Sequence, residues 1–359
     1  MNGFLIIDKP YGLSSYDVLR RLNKKFSLKR RSIKFGHGGT LDPLATGVLV
    51  VALGRATRML QFFLSDTKSY RATICIGAQT TTDDAEGDII RTAPYEHIDI
   101  EAIRSALADF RGKIWQTPPD YSAVHVDGAR AYEVMRNGGH VEIDPKLVEI
   151  YDIDVVSYRT RPGQMPELVV DITCSGGTYI RSIARDLGKK LHSAASLRSL
   201  VRTRSCDISI DRAKSLDQIC ACDDIESMLI EPCEIFRSTP CLIVTPDDID
   251  RLFKGKHVHF PFPPRTADVE LYRVQMEDPG TIYAFVKLSQ KMEITRMSPD
   301  GGQCHRRRPF PPADRRRRIY ACMSPDGAFN AIVGAQVPNH TPKGDGAQRR
   351  WRPTVQSVG

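Results

Sequence analysis

The apolar positions of the chain change period along its length, and each change marks an element. Phe4 to Ile7 is a short apolar run that reads as a strand, and DKPYGLSS then turns through Pro10 and Gly12 into a helix. In that helix Val18, Leu22 and Phe26 recur at i+4, and Ser14 with Asp17 forms a capping box. Val48 to Leu53 is apolar without interruption and reads as a buried strand or strand pair. Around Tyr70 to Ile76 apolar and polar positions alternate as in a strand, before a polar turn that ends at Gly87. Asp99 caps a helix whose Ile100, Ile103, Leu107, Phe110 and Ile114 form a packing stripe. Strands around Val148 to Val156 and Leu168 to Ile172 follow. Gly176 and Gly177 then open a helix with Ile180, Ile183, Leu187 and Leu191 on its buried side.

Length adds an expectation of two domains, since 359 residues exceed most single ones. The boundary is placed near Thr239 and Pro240: Thr245 caps a new helix with Pro246 in its first turn, and short strand-like runs follow. MSPDG occurs twice, from Met297 and from Met323, each copy a Pro-Asp-Gly turn between strand-like flanks. From Val337 onward Pro, Gly, Gln and Arg dominate, a composition expected to be disordered on its own. With 41% hydrophobic and 26% charged residues and no apolar run of membrane-spanning length, the composition is that of a soluble protein. MNGFLIIDKP lacks a basic leader and is not read as a signal peptide, so a cytoplasmic location is expected. The nine cysteines are scattered and do not suggest a disulfide framework. Cys220 and Cys222 lack a second pair, Cys304 and His305 are adjacent, and no metal site is expected.

Charge changes the picture more. Residues 1 to 40 hold nine Lys/Arg against two Asp/Glu, and residues 301 to 359 hold eleven against three, while the whole chain is +8. The ends therefore carry +7 and +8, and the middle −7. Cations concentrated in this way suit contact with phosphates. KKFSLKRRSIK delivers the first cluster directly to the run GHGGTLDPLATGVLVVALG, from Gly36 to Gly54. There Asp42 is surrounded by glycines, and Pro43 pushes it toward an extended conformation, so the turn aims the carboxylate. A fixed carboxylate can be a nucleophile, a base or a cap.

GHGGTLDPLATGVL resembles the catalytic motif of the TruB family of RNA pseudouridine synthases, and Lys9-Pro10 with Gly12 resembles the same family's N-terminal signature. The resemblance implies an α+β fold, with a mixed, mainly antiparallel sheet flanked by helices in a catalytic domain over residues 1–238. It further implies a small, mainly-β PUA-like RNA-binding domain over 239–336, by a weaker likeness in position and size. An unrecognised Arg-rich insertion at 303–318 falls within that domain, and a disordered basic tail over 337–359 follows it. By resemblance Asp42 is the catalytic carboxylate, Tyr70 stacks on the target base, Asp84 lies near the site, and Arg181 pairs with Asp42, with Tyr179 lining the site. Arg181 already stands out locally, because a cation in a first helical turn opposes the macrodipole. Its other reading is a surface residue paired with Asp186.

His37, five residues before Asp42, is open to a proton-sharing role or an ordinary loop role, and the family assigns it to opening the RNA loop and filling the space of the extruded base. Lys9 and Leu200, the latter within LRSLVRTRS, complete the implied substrate-binding set together with Arg130 and Tyr132. These last two belong to QTPPDYSAVHVDGARAYEVMRNG, which resembles the family's RNA-gripping insertion, here about 120–150. His125 stands where most relatives carry Lys, and Cys206 where they carry Gly. The implied activity is isomerisation of the tRNA T-loop uridine at position 55, without metal or organic cofactor, by a monomer that needs no membrane or obligate protein partner and binds the T-loop and T-arm. Two competing readings are a non-catalytic RNA chaperone or tRNA-folding factor using the same surface, and an RNA-binding PUA-type module on an incidental scaffold.

Overall fold

The structure, a computed structural model, describes residues 1–248 except 65, 127 and 244, and beyond them only the backbone of short strands. The chain begins with β1 (Gly3–Lys9), α1 (Ser15–Phe26), β2 (Phe35–His37) and β3 (Ala45–Leu53). After the short helix α2 (Leu60–Leu64) come β4 (Lys68–Ile76) and a small hairpin of β5 (Ala78–Thr80) and β6 (Ile89–Thr92). Helix α3 (Ile100–Ala108) and β7 (Gly112–Gln116) precede an insertion built of β8 (His125–Val126), β9 (Ala129–Arg130) and α4 (Ala131–Arg136). A long hairpin of β10 (Lys146–Arg161) and β11 (Gln164–Cys174), helix α5 (Ile180–Lys190), β12 (Ala195–Ser205), β13 (Ile208–Ser209) and β14 (Lys214–Ser215) follow.

Ten of these strands form one sheet in the order β14-β1-β3-β12-β4-β11-β10-β7, with β2 beside β3 and β13 beside β12. Only β1–β14 and β3–β12 are parallel, so the sheet is mixed and mainly antiparallel, as the resemblance implied. Alternation decides which face is dry: in β4, Tyr70, Ala72, Ile74 and Ile76 are buried, and so are Leu168, Val170 and Ile172 in β11. Val18, Leu22 and Phe26 of α1 and Ile183 and Leu187 of α5 join these strand residues in one core. The Ser14–Asp17 capping box is present, with Asp17 N 3.1 Å from Ser14 Oγ.

One element is shorter than its periodicity suggested. The helix capped by Asp99 ends at Ala108 rather than running on to Ile114. Gly112, at φ +86°, reverses the chain, and Phe110 and Ile114 reach the same core from a turn and from β7. Beyond residue 240, Cys241–Ile243, Leu271–Gln275, Ala284–Leu288 and Arg317–Ile319 pair in that order as a four-stranded sheet. Thr245 caps the helix that starts at 246, accepting from Asp248 N at 3.2 Å. Arg296–Met297 pairs with Ile332–Val333 and Cys322–Met323 with Phe329–Asn330, and the other parts of the expected PUA-like module and the whole basic tail lie outside the described residues.

Candidate active site

Asp42 lies in the connection between β2 and β3, and the turn around it is held by buried side chains from three directions. Ser15, at the start of α1, accepts from Leu41 N at 2.8 Å and donates to Leu41 O at 3.1 Å. Lys9, fully buried at the end of β1, donates through Nζ to the carbonyls of Pro10, Leu13 and Pro43. Burial lowers its pKa to about 8, against the opposing pull of Asp42 and Glu86. Arg202 of β12, only 2% exposed, donates to Val48 O at 2.7 Å, Gly39 O at 3.1 Å and Thr40 O at 3.4 Å. Gly47 is required for this approach: at φ +96°, a Cβ there would stand 2.3 Å from Arg202 O.

Opposite the turn stands Arg181 in the first turn of α5, 5% exposed. Its η nitrogens donate to Thr82 O at 3.0 Å and Tyr121 O at 3.1 Å, which turns Nε toward two carboxylates. Nε is 2.9 Å from Asp42 Oδ2 and 3.6 Å from Asp84 Oδ2. The N–H makes no aligned hydrogen bond, so the contact is one of charge. Asp42 keeps 34% of its side chain exposed, whereas Asp84 is buried and held by Thr82 Oγ1 and Glu86 N. The helix start is itself clamped, Gln116 pairing its side-chain amide with the backbone N and O of Tyr179 at 2.8 and 3.1 Å. One turn on, Arg185 bonds Asp83 at 3.0 Å and Asp186 at 2.9 Å. Asp186 therefore belongs to Arg185, and the surface reading of Arg181 falls.

Tyr70 lies on the buried face of β4, paired in register with Arg202 of β12. Burial pushes its pKa up, so the phenol is neutral. Asp42, Arg181, Tyr70, Asp84 and Tyr179 thus meet at one end of the sheet. They make a partly exposed carboxylate with a fixed counter-charge, an aromatic wall and a neutral phenol: the parts for attack on, and proton removal from, a planar base.

Residues 24–180 match the model of the TruB family pseudouridylate synthase N-terminal domain. A tRNA pseudouridine synthase B of Trichormus variabilis is 46% identical over 61% of this chain and 72% of its own length. The enzyme of that name from Syntrophotalea carbinolica is 39% identical over 77% of this chain and 86% of its own. The chain belongs to the TruB family. Its fold also matches, at 23% identity and TM-score 0.59, a chain of a Cbf5–Nop10–Gar1 complex, covering 79% of this chain and 78% of that one.

The remaining positions taken from the TruB family fall into two groups. His37 on β2 is half-buried beside the site, its Nδ1 lacks a hydrogen-bond partner, and burial with the nearby Arg202 lowers its pKa. An uncharged ring suits a space-filling role better than a phosphate contact. Leu200 is buried on β12 between Ala45 and Ala72. Arg130 and Tyr132 stay apart, on the insertion: Arg130 is exposed, and Tyr132 bonds Glu133 at 2.9 Å with Arg136 over its ring. His125 is exposed on β8. Cys206 has φ +54°, the left-handed region that glycine enters at least cost. Sequence reading missed Arg202, Gln116 and Arg185. Arg202 was detectable, because it lies two residues from Leu200 and shares its inward parity.

Proposed function

We propose that this chain isomerises the T-loop uridine at position 55 of tRNA to pseudouridine, acting as a cytoplasmic monomer. Membership of the TruB family and 39–49% identity to tRNA pseudouridine synthases B support the tRNA substrate. The observation that carries the reading is the 2.9 Å Asp42–Arg181 pair, which leaves Asp42 partly exposed with Tyr70 behind it. A binding-only protein has no use for that arrangement.

The target base must leave its stack, at a cost of a few kcal/mol. Stacking against Tyr70, with the uncharged His37 ring in the vacated space, offsets that cost. Asp42 supplies the electron pair, at the base or at the sugar C1′, while Arg181 keeps its position and balances its charge. The C1′–N1 bond breaks, the base turns, and a C1′–C5 bond forms. The C5 proton is then lost, N1 ends protonated and Asp42 is released, so atoms balance without any co-reactant. We assign the proton step to Tyr70 as a relay, its oxygen taking the C5 proton as its own hydroxyl proton passes to N1 or to water.

The test is tritium release from tRNA carrying tritium at uridine C5. Release is expected from tRNA with an intact T-loop and is expected to vanish when the loop is replaced by an unrelated tetraloop. Equal release from both would refute the T-loop assignment.

A further inference from the structure

Two large aromatic side chains beside the Asp42 turn have no role in the chemistry above. Tyr11 is 70% and Tyr16 65% exposed, on either side of the Ser14 cap of α1. Their backbone is fixed to the turn that carries Asp42. Gly12 N donates to Pro43 O at 2.9 Å, Lys9 ties the carbonyls of Pro10 and Leu13 to that of Pro43, and Ser15 bonds both backbone groups of Leu41. Segment 10–16 and turn 41–43 therefore form one body, and the two rings project from it into solvent.

Their surroundings define what they fit. Along α1 and the loop after it, Lys24, Lys29, Arg30, Arg31 and Lys34 have no acidic partner among the described residues, whereas Arg20, Arg21 and Lys25 do. Exposed aromatic faces at one end of α1 and unneutralised cations at and beyond its other end, about 18 Å along the helix, are the elements of a site for an extended single strand, with bases on the rings and phosphates on the cations. A packing role would have buried the rings, and a solubility role would not have used tyrosine.

We infer that Tyr11 and Tyr16 form a stacking platform for unpaired nucleotides flanking the uridine presented to Asp42, with the basic segment 24–34 holding phosphates of the strand where it runs on past the far end of α1. This rests on the proposed RNA-modifying function. The platform is built into the catalytic turn, so a base stacked there sets the distance of the neighbouring nucleotide from Asp42.

The test uses the full chain and a T-stem-loop RNA hairpin with 2-aminopurine on either side of the target uridine. Wild-type binding is expected to quench the fluorescent base. Tyr11→Ala and Tyr16→Ala are expected to relieve quenching and to weaken binding on the order of 10- to 100-fold each. Tyr11→Phe and Tyr16→Phe should stay within about 2-fold of wild type. The salt dependence of the Ala variants should be unchanged, because stacking releases no counterions. Alanine variants that bind and quench like wild type would overturn the platform, as would Phe variants as weak as Ala. Tritium release measured in parallel separates the two claims: a wild type that quenches but never releases tritium would refute the isomerase reading and leave the platform standing.

Discussion

Most of the buried cationic charge around Asp42 is committed to backbone carbonyls rather than to the carboxylate. Lys9 and Arg202 each hold three carbonyls, and Arg181 holds two while facing Asp42. Each carbonyl left without its donor would cost about 1–3 kcal/mol, so these side chains fix the turn firmly. Lys9 makes this visible to pH. Its proton is lost at about pH 8 in the folded protein, against 10.5 in the unfolded chain. Between those values the unfolded chain binds more protons, so the cost of burying the charged Lys9 is full below pH 8 and shrinks as pH rises through that window. NMR titration of labelled lysine side chains is expected to show Lys9 titrating near pH 8, well before the exposed lysines; a Lys9 still charged at pH 10 would contradict this. Asp42 was legible because it stands in a long motif, and Tyr70 and Arg181 because the separate stretches that hold them resemble the same family. Lys9 and Arg202 were missed as buried clamps, because a cation on a strand ordinarily marks the solvent face. Only their spacing from Ile7 and Leu200 places them inward.

Among the elements, the hairpin of β5 and β6 depends on α5. Its loop delivers Thr82 O and Asp84 to Arg181, and Asp83 between them adopts a left-handed conformation, φ +59°. Arg185, one helical turn after Arg181, holds Asp83 with both side chains about one-tenth exposed. Burial raises the Asp83 pKa despite this partner, so the pair is costly to break. Arg185→Met is expected to destabilise the fold by about 3–5 kcal/mol in chemical denaturation, and Asp83→Asn added to it should restore part of the loss. An Arg185→Met variant as stable as wild type would show that the hairpin is held by other contacts. Caps, strand alternation and helix stripes were all readable, since they are local. The end of α3 was not, because Phe110 and Ile114 continue a helical spacing from a turn and a strand. The Arg185–Asp83 contact joins residues 102 apart in the chain, and no pattern in a single sequence announces it.

For the whole molecule, the sheet gathers Asp42, Arg181 and Tyr70 at one end, while the cations suited to phosphate are spread widely along the chain. Nine Lys/Arg lie in the first 40 residues and eleven in the last 59, and the insertion adds Arg130 and Arg136. The family resemblance implied the mixed, mainly antiparallel sheet, whose pairing order no periodicity encodes. Binding distributed over so many groups should survive the loss of any one of them, whereas chemistry that depends on Asp42 should not. The decisive measurement is therefore tRNA affinity and single-turnover tritium release for Asp42→Asn beside wild type. The account predicts affinity within about 3-fold, since Asp42 contributes no phosphate contact, and no detectable release. Release by the Asn variant at a rate near that of wild type would contradict it.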